Sequence, residues 1–342
     1  PAGIGCAAAG VAGLAWKGGR RLRWILLCAG LAAGLAWSWV YGAVFLQPAR
    51  ELDGERGEID ALVTGWPQPA SYGSSVQILI ETDTVGLTAR LYLYEEDLQL
   101  RPGDQIHLEA SLRLADTMAG EETDYYLSKG ISLMAYGEGE ITVQRPDRPG
   151  IRHWAAYLSQ ALKQSIARAV PEDAAPMITA LATGDRSTLP ENFYSAMQRT
   201  GIAHVVAVSG MHVSFLANFV ALLLGRRRRL GAGVGIGLMF CFAAVAGGTP
   251  SVLRAAFMQS MLLLAPLLGR EDDRPTSLST VLMLLLLYNP YAAASVSLQL
   301  SFTSVAGIYL ITSPLYAAMT RALPASPGGL LPRLGCWAAR FG

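Results

Sequence analysis

Two long apolar stretches constrain this chain more than any other feature. Residues 25–46 and residues 205–224 each run without an acid, a lysine or an arginine. A helix needs about 20 mostly apolar residues to cross a bilayer, and both stretches supply them. The whole chain agrees: 52% of its 342 residues are hydrophobic and 15% are charged, with mean hydropathy +0.33. Soluble domains carry about 25% charged residues. A single compact soluble core is therefore excluded, and a lipid bilayer becomes the first implied partner.

The net charge of +1 conceals a division. Residues 51–148 hold 19 acids against 7 basic residues, a net −12, which leaves +13 for the rest. An acidic block inside a basic, apolar chain implies two compartments. Lys17, Arg20, Arg21 and Arg23 precede the first apolar stretch and belong in the cytoplasm. Trp37, Trp39 and Tyr41 form an interfacial belt toward its far end, so residues 47–150 are expected outside. The basic cluster follows an apolar segment instead of opening the chain, which is not the order of a signal peptide. With no initial Met, and a tail that stops within an apolar segment, the chain reads as cut from something longer. Cys6, Cys28, Cys241 and Cys336 have no metal-ligand spacing and read as small hydrophobes.

The outer block reads as β structure. Ile106, Leu108, Ala110, Leu112 and Leu114 alternate with polar residues, the period of a half-buried strand. Residues 58–66, 76–81, 87–94 and 131–143 complete about five strands, which fits a small barrel of the OB type. Residues 151–170 predict a helix with Trp154, Leu158, Ala161, Leu162 and Ile166 on one side. Apolar runs at 204–225, 230–247, 252–268, 278–288 and 297–318 then alternate with basic turns. The expected fold class is a polytopic α-helical membrane protein with an inserted small all-β, OB-like extracytoplasmic domain. Its divisions are 1–46, N-terminal membrane segments; 47–150, the β domain; and 151–342, a membrane domain cut short at its end.

Polar groups inside apolar runs mark where chemistry could lie, because they are costly in lipid and usually face a wet path. Asp185 and Arg186 lie in Thr-Gly-Asp-Arg; His204, Ser209, Gly210 and His212 lie in Gly-Ile-Ala-His-Val-Val-Ala-Val-Ser-Gly-Met-His. At about 100° per residue, Ser209 and His212 fall about 60° apart and His204 about 80° from His212, one side of a helix. Arg254 follows Pro-Ser-Val-Leu, and Gln299 lies in Leu-Gln-Leu-Ser-Phe. Alone, Arg254 reads equally as a snorkelling residue near a cap, and Gln299 as an interhelical hydrogen-bonder. On the β block, Arg90, Tyr92 and Tyr94 alternate onto one face, as a base-stacking platform would, although the block's −12 opposes phosphate binding.

These four ordered blocks resemble the competence domain of the ComEC family. Leu100-Arg-Pro-Gly-Asp-Gln and Asp124-Tyr-Tyr-Leu-Ser-Lys-Gly130 are similar to its N-terminal OB domain. The resemblance covers nearly the whole chain and implies an inner-membrane channel for single-stranded DNA in natural transformation. Asp185, Arg186, His204, Ser209, Gly210, His212, Arg254 and Gln299 would line the path, with DNA stacking by Arg90, Tyr92 and Tyr94. Implied partners are single-stranded DNA, an extracytoplasmic DNA receptor, and a cytoplasmic ATP-driven motor or single-strand-binding proteins. No Walker-type phosphate loop occurs here, so ATP work falls to a partner. Family members commonly add a C-terminal metallo-β-lactamase-like domain. No zinc-type cluster is present in this sequence, so no catalytic residue, metal or cofactor is expected.

Two other readings compete. Ala-Val-Ser-Gly around Ser209, with His212 three residues on, is one residue from an intramembrane serine hydrolase motif. Residues 278–290, a short apolar run halted at Asn-Pro, would suit the broken helix of a small-solute transporter.

Overall fold

The alternation in residues 105–114 is met by one strand over those same residues, and that strand is the spine of a closed barrel. The computed structural model describes residues 19–70, 73–82, 85–94, 99–118, 121–147, 150–202, 208, 210–224, 229–269 and 273–322. The barrel strands are β1 (Arg56–Val63), β2 (Ser74–Glu81), β3 (Gly86–Leu93), β4 (Gln105–Leu114) and β5 (Leu133–Gln144). Their order around the ring is β1-β4-β5-β3-β2, closed by β2 on β1. Only β3 and β5 run parallel; every other pair is antiparallel. That is the five-stranded Greek-key arrangement of an OB-like barrel.

Inward residues of all five strands fill it, including Ile78, Leu91, Ile106, Leu108 and Leu133. The fit leaves no spare room: a Cβ on Gly137 of β5 would stand 2.5 Å from Leu93 Cδ2. Arg-Pro-Gly-Asp before β4 is a buried lock. The Asp104 carboxylate accepts from the Arg101 N–H at 2.9 Å and from Arg145 Nε and Nη2, both at 3.2 Å. This ties the start of β4 to the end of β5.

The remainder is helical. α1 (Gly19–Tyr41) continues through a π-helical turn, Gly42–Leu46, into α2 (Gln47–Glu51), whose Ala49 packs into the barrel core. After the barrel come α3 (Trp154–Ala169), α4 (Ala175–Thr183), α5 (Glu191–Arg199), α6 (Gly210–Leu224), α7 (Arg229–Val245), α8 (Pro250–Leu264), α9 (Arg274–Tyr288) and α10 (Val296–Ala322). One apolar core joins α6, α7 and α8 through small residues such as Ala217, Ala232, Ala243 and Ala256. A second joins α9 and α10 to α8.

Among the described residues, two helical stretches have the length and apolarity to cross a membrane, Trp24–Glu51 and Val296–Met319. The other apolar helices, α6 to α9, have 15 to 17 residues, about 22–26 Å at 1.5 Å per residue, against a hydrocarbon layer of about 30 Å. α6, α7 and α8 are shorter than their apolar runs, whereas α9 begins four residues ahead of its run. Pro250 and Pro275 open α8 and α9, and a 3₁₀ turn, Ala265–Leu268, follows α8.

Among the described residues, side-chain hydrogen bonds tie the barrel to the helices that follow it at two places. Trp66 Nε1 donates to the Ala156 carbonyl at 3.1 Å, and Tyr157 OH donates to the Pro102 carbonyl at 2.9 Å, with the two rings edge to face. On the other side, buried Asn289 donates from Nδ2 to the Leu127 carbonyl at 2.8 Å while its Oδ1 accepts from the Tyr291 N–H at 3.0 Å. Asn289→Ala leaves the Leu127 carbonyl with only the Gly130 N–H and the Tyr291 N–H without its acceptor, a loss of about 1–3 kcal/mol. It should lower the thermal unfolding midpoint of the detergent-solubilised protein; an unchanged midpoint would mean the tie is dispensable.

Candidate functional site

Three helices start at one end of a cleft. Gly210 opens α6, Ser251 lies in the first turn of α8, and Ser297 lies in the first turn of α10; all three line a cavity of about 620 Å³. The start of α8 is set by local chemistry: Gly247 and Gly248 take positive φ (78° and 61°), Thr249 is extended, and Pro250 begins the helix. On α10 the lining residues Ser297, Ser301 and Ser304 recur at i, i+4 and i+7, one face of a helix. Ser214, Gln259 and Tyr309 extend the lining.

Among the described residues, Arg254 is the one charged residue of that lining. Its Nε donates to Ser301 Oγ at 2.6 Å, Nη1 lies 3.8 Å from Met258 Sδ, and the guanidinium carbon is 5.9 Å from the Phe302 ring centroid. Among the described residues it makes no ion pair with a carboxylate. A half-buried guanidinium with only neutral partners keeps its charge available to an anion. Each helix N-terminus adds about half a positive charge at the mouth. Gln259 Nε2 donates to Ser214 Oγ at 2.9 Å and so bridges α8 to α6.

The residues singled out from the sequence separate into different places. Gly210 and Arg254 meet: a Cβ on Gly210 would be 3.6 Å from Arg254 Nη2. Gln299 is exposed outside the cleft lining, and its Nε2 donates to the Ala293 carbonyl at 2.8 Å. His212 is half-buried on α6 and is not part of the lining. His204 and Ser209 lie outside the described residues.

Asp185 and Arg186 form a separate knot. Gly184 caps α4 with φ 74°, and a Cβ there would meet the Ala246 carbonyl oxygen at 3.2 Å, so glycine is needed for both the conformation and the approach. Lys163 Nζ of α3 donates to Asp185 Oδ2, and the Ser187 N–H donates to Oδ1 at 2.9 Å. Arg186 Nη1 donates to Tyr194 OH at 2.8 Å. This motif joins α3, α4, α5 and the end of α7, and its acid is cancelled by a lysine.

On the barrel, Arg90 donates to Ser75 Oγ at 3.2 Å and lies 6.0 Å from the Tyr92 ring centroid. Tyr92 stacks on Tyr136 at 5.6 Å and packs with Tyr126 against a small core of Ala115, Ile131 and Met134. Burial, reinforced by the Tyr126 hydrogen bond, pushes its phenol up to about 12. Tyr94 lies beyond β3 and is 79% exposed.

Sequence reasoning missed Ser214, Ser251, Gln259, Ser297, Ser304 and Tyr309. The signal was available: serines at i, i+4 and i+7 in an apolar helix form a polar stripe. Serine is too common in such helices for the stripe to stand out without its partner Arg254.

The family model described as "Competence protein" matches residues 181–331, which include the cleft. The chain is similar to ComE operon protein 3 of Bacillus subtilis, 30% identical over 147 residues, 42% of this chain and 19% of that protein. It is similar to Competence protein ComA of Neisseria gonorrhoeae, 30% identical over 196 residues, 53% of this chain and 28% of that protein. It also resembles Recombination protein 2 of Haemophilus influenzae, 26% identical over 200 residues, 56% of this chain and 24% of that protein. The chain thus spans between 19% and 28% of the length of these curated relatives.

The Asp185 knot has a pH signature. Burial raises this carboxyl, but the Lys163 and Ser187 hydrogen bonds and the Lys163 charge outweigh burial and hold it below the ordinary 3.8. A carboxyl depressed by folding adds stability that is full above its unfolded value and is lost as pH falls through the folded one. The difference in melting midpoint between wild type and Asp185→Asn should therefore shrink as pH is lowered from 6 to below about 4. A constant difference across that range would show that the pair adds no stability.

Proposed function

We propose, from the match of residues 181–331 to the competence protein family model and the similarity to its relatives, that the chain forms part of an inner-membrane channel through which single-stranded DNA enters during natural transformation. The observation that carries this reading is the cleft among α6, α8 and α10, whose hydroxyl lining holds, among the described residues, one cation and no carboxylate. A DNA strand needs cationic and hydrogen-bonding groups along a wet route. Arg254, the three helix N-termini and the serines supply them in an otherwise apolar helical body.

The outward faces suit a bilayer. Trp39 on α1, Leu222 on α6 and Leu310 on α10 are each about three-quarters exposed or more. Basic residues at 226–229 and 274 fit cytoplasmic turns, and the barrel then lies outside the cytoplasm. In this reading the acidic barrel is a structural collar over the entrance. Tyr94, Tyr136 and Tyr125 offer exposed rings to bases, while Tyr92 is spent on packing. An extracytoplasmic receptor delivers the strand, and a cytoplasmic ATP-driven motor or single-strand-binding proteins draw it inward. No catalytic step is assigned to this chain. The transporter reading loses its main support, because α9 runs unbroken to Tyr288 and Asn289 is occupied in holding the barrel.

Arg254→Gln should lower the transformation frequency at least tenfold, about 1.4 kcal/mol in the rate-limiting step, with normal amounts of inserted protein. Labelled DNA should bind the cell surface normally yet fail to reach the cytoplasm as single strands. Normal transformation by that variant would remove Arg254 from the path.

A further inference from the structure

We infer that the cleft retains the strand through one phosphodiester at a time, gripping it with a single fixed cation and releasing it onto neutral hydroxyls. The inference rests on the DNA-channel reading. A polyanion is easy to attract and hard to let go: every additional fixed cation adds a counterion-releasing contact and tightens retention. Conduction needs sites that bind well enough to admit and weakly enough to release.

The lining has that composition. Among the described residues Arg254 is its one charge, one turn in from the mouth. Along α10 Ser297 lies at the mouth, Ser301 beside Arg254 and Ser304 farther in, a span of about 10 Å at 1.5 Å per residue, with Tyr309 beyond them. The cavity, about 620 Å³, is the size of a site for one small-molecule ligand, about 300–1,000 Å³. It accommodates a nucleotide unit or so, not a coiled length of strand. Ser301 holds Arg254 Nε and Met258 Sδ lies against Nη1, which leaves Nη2, beside Gly210, for a phosphate oxygen. Because the partner is a hydroxyl, handing the phosphate on leaves no competing carboxylate to recapture the arginine.

The test adds a second cation to the ladder. The full chain in nanodiscs is titrated with a single-stranded oligonucleotide across a salt series, and the same variants are scored for transformation. Arg254→Gln should make the log–log salt slope shallower by about 0.7, one phosphate contact on a single strand, and Ser304→Lys should make it steeper by about 0.7. Ser304→Lys should also bind more tightly at low salt yet transform several-fold less well, and Ser297→Lys should repeat the pattern. Thr303→Lys places the same charge one residue away and outside the lining, and should keep the wild-type slope. If Ser304→Lys and Ser297→Lys bind more tightly and transform as well as wild type or better, single-cation release is wrong while the channel stands. If they fail to steepen the slope although inserted normally, the ladder does not touch phosphates and the inference is equally overturned. If Arg254→Gln alters neither slope nor transformation, the channel reading of the cleft fails, and the inference with it.

Discussion

One buried amide holds the two halves of this molecule in register. Asn289 spends its acceptor on its own turn and its donor on a carbonyl 162 residues earlier. The turn it shapes ends α9 and leads through Pro290–Ala294 into α10, whose first two turns carry Ser297 and Ser301. The carbonyl it captures belongs to the 3₁₀ turn Leu127–Lys129, next to the Tyr126 that covers Tyr92. Tyr291, two residues on, brings its ring to 6.1 Å from Tyr41 at the end of α1. The barrel's flank, the first helix and one wall of the cleft therefore meet at a single turn. The Trp66–Tyr157 contact on the opposite side removes the remaining freedom to swivel.

Two polar blocks that look alike in the sequence are put to opposite uses. In Thr-Gly-Asp-Arg the acid is matched by Lys163 and the arginine rests on Tyr194, so both charges are absorbed into the packing of four elements. In Pro-Ser-Val-Leu-Arg the arginine meets a hydroxyl, a thioether and an aromatic ring. A carboxylate within reach of Arg254 would make a stronger pair and a site blind to phosphate. The cleft stays cationic because its partners are neutral.

The barrel was legible residue by residue, since period-two alternation survives wherever one face of a strand is buried. β4 matches its expected span, and the other strands shift by one to three residues at their ends. The helical half was legible in composition and order but not in length. The runs were separated correctly but their ends differ: α8 stops at Leu264 where its run continues to 268, and α9 starts at Arg274, four residues before its run. At the site, Arg254 and Gly210 could be found because charge and glycine stand out in an apolar run. Gln299 stood out equally and faces elsewhere. Helical phase within a run tells which residues share a face, not which face another helix will cover.

The span of the Asn289 tie has a consequence in time. Asn289 follows the end of β5 by 145 residues. At ribosomal speeds of about 5–20 residues per second, roughly 7 to 30 seconds pass between completion of the barrel's last strand and arrival of its anchor. Through that interval the barrel has no docking partner at the Leu127 turn and must hold its shape by itself. A ring with no open edge, locked by Asp104 on Arg145, suits a domain that is born well before the surface it will lean on.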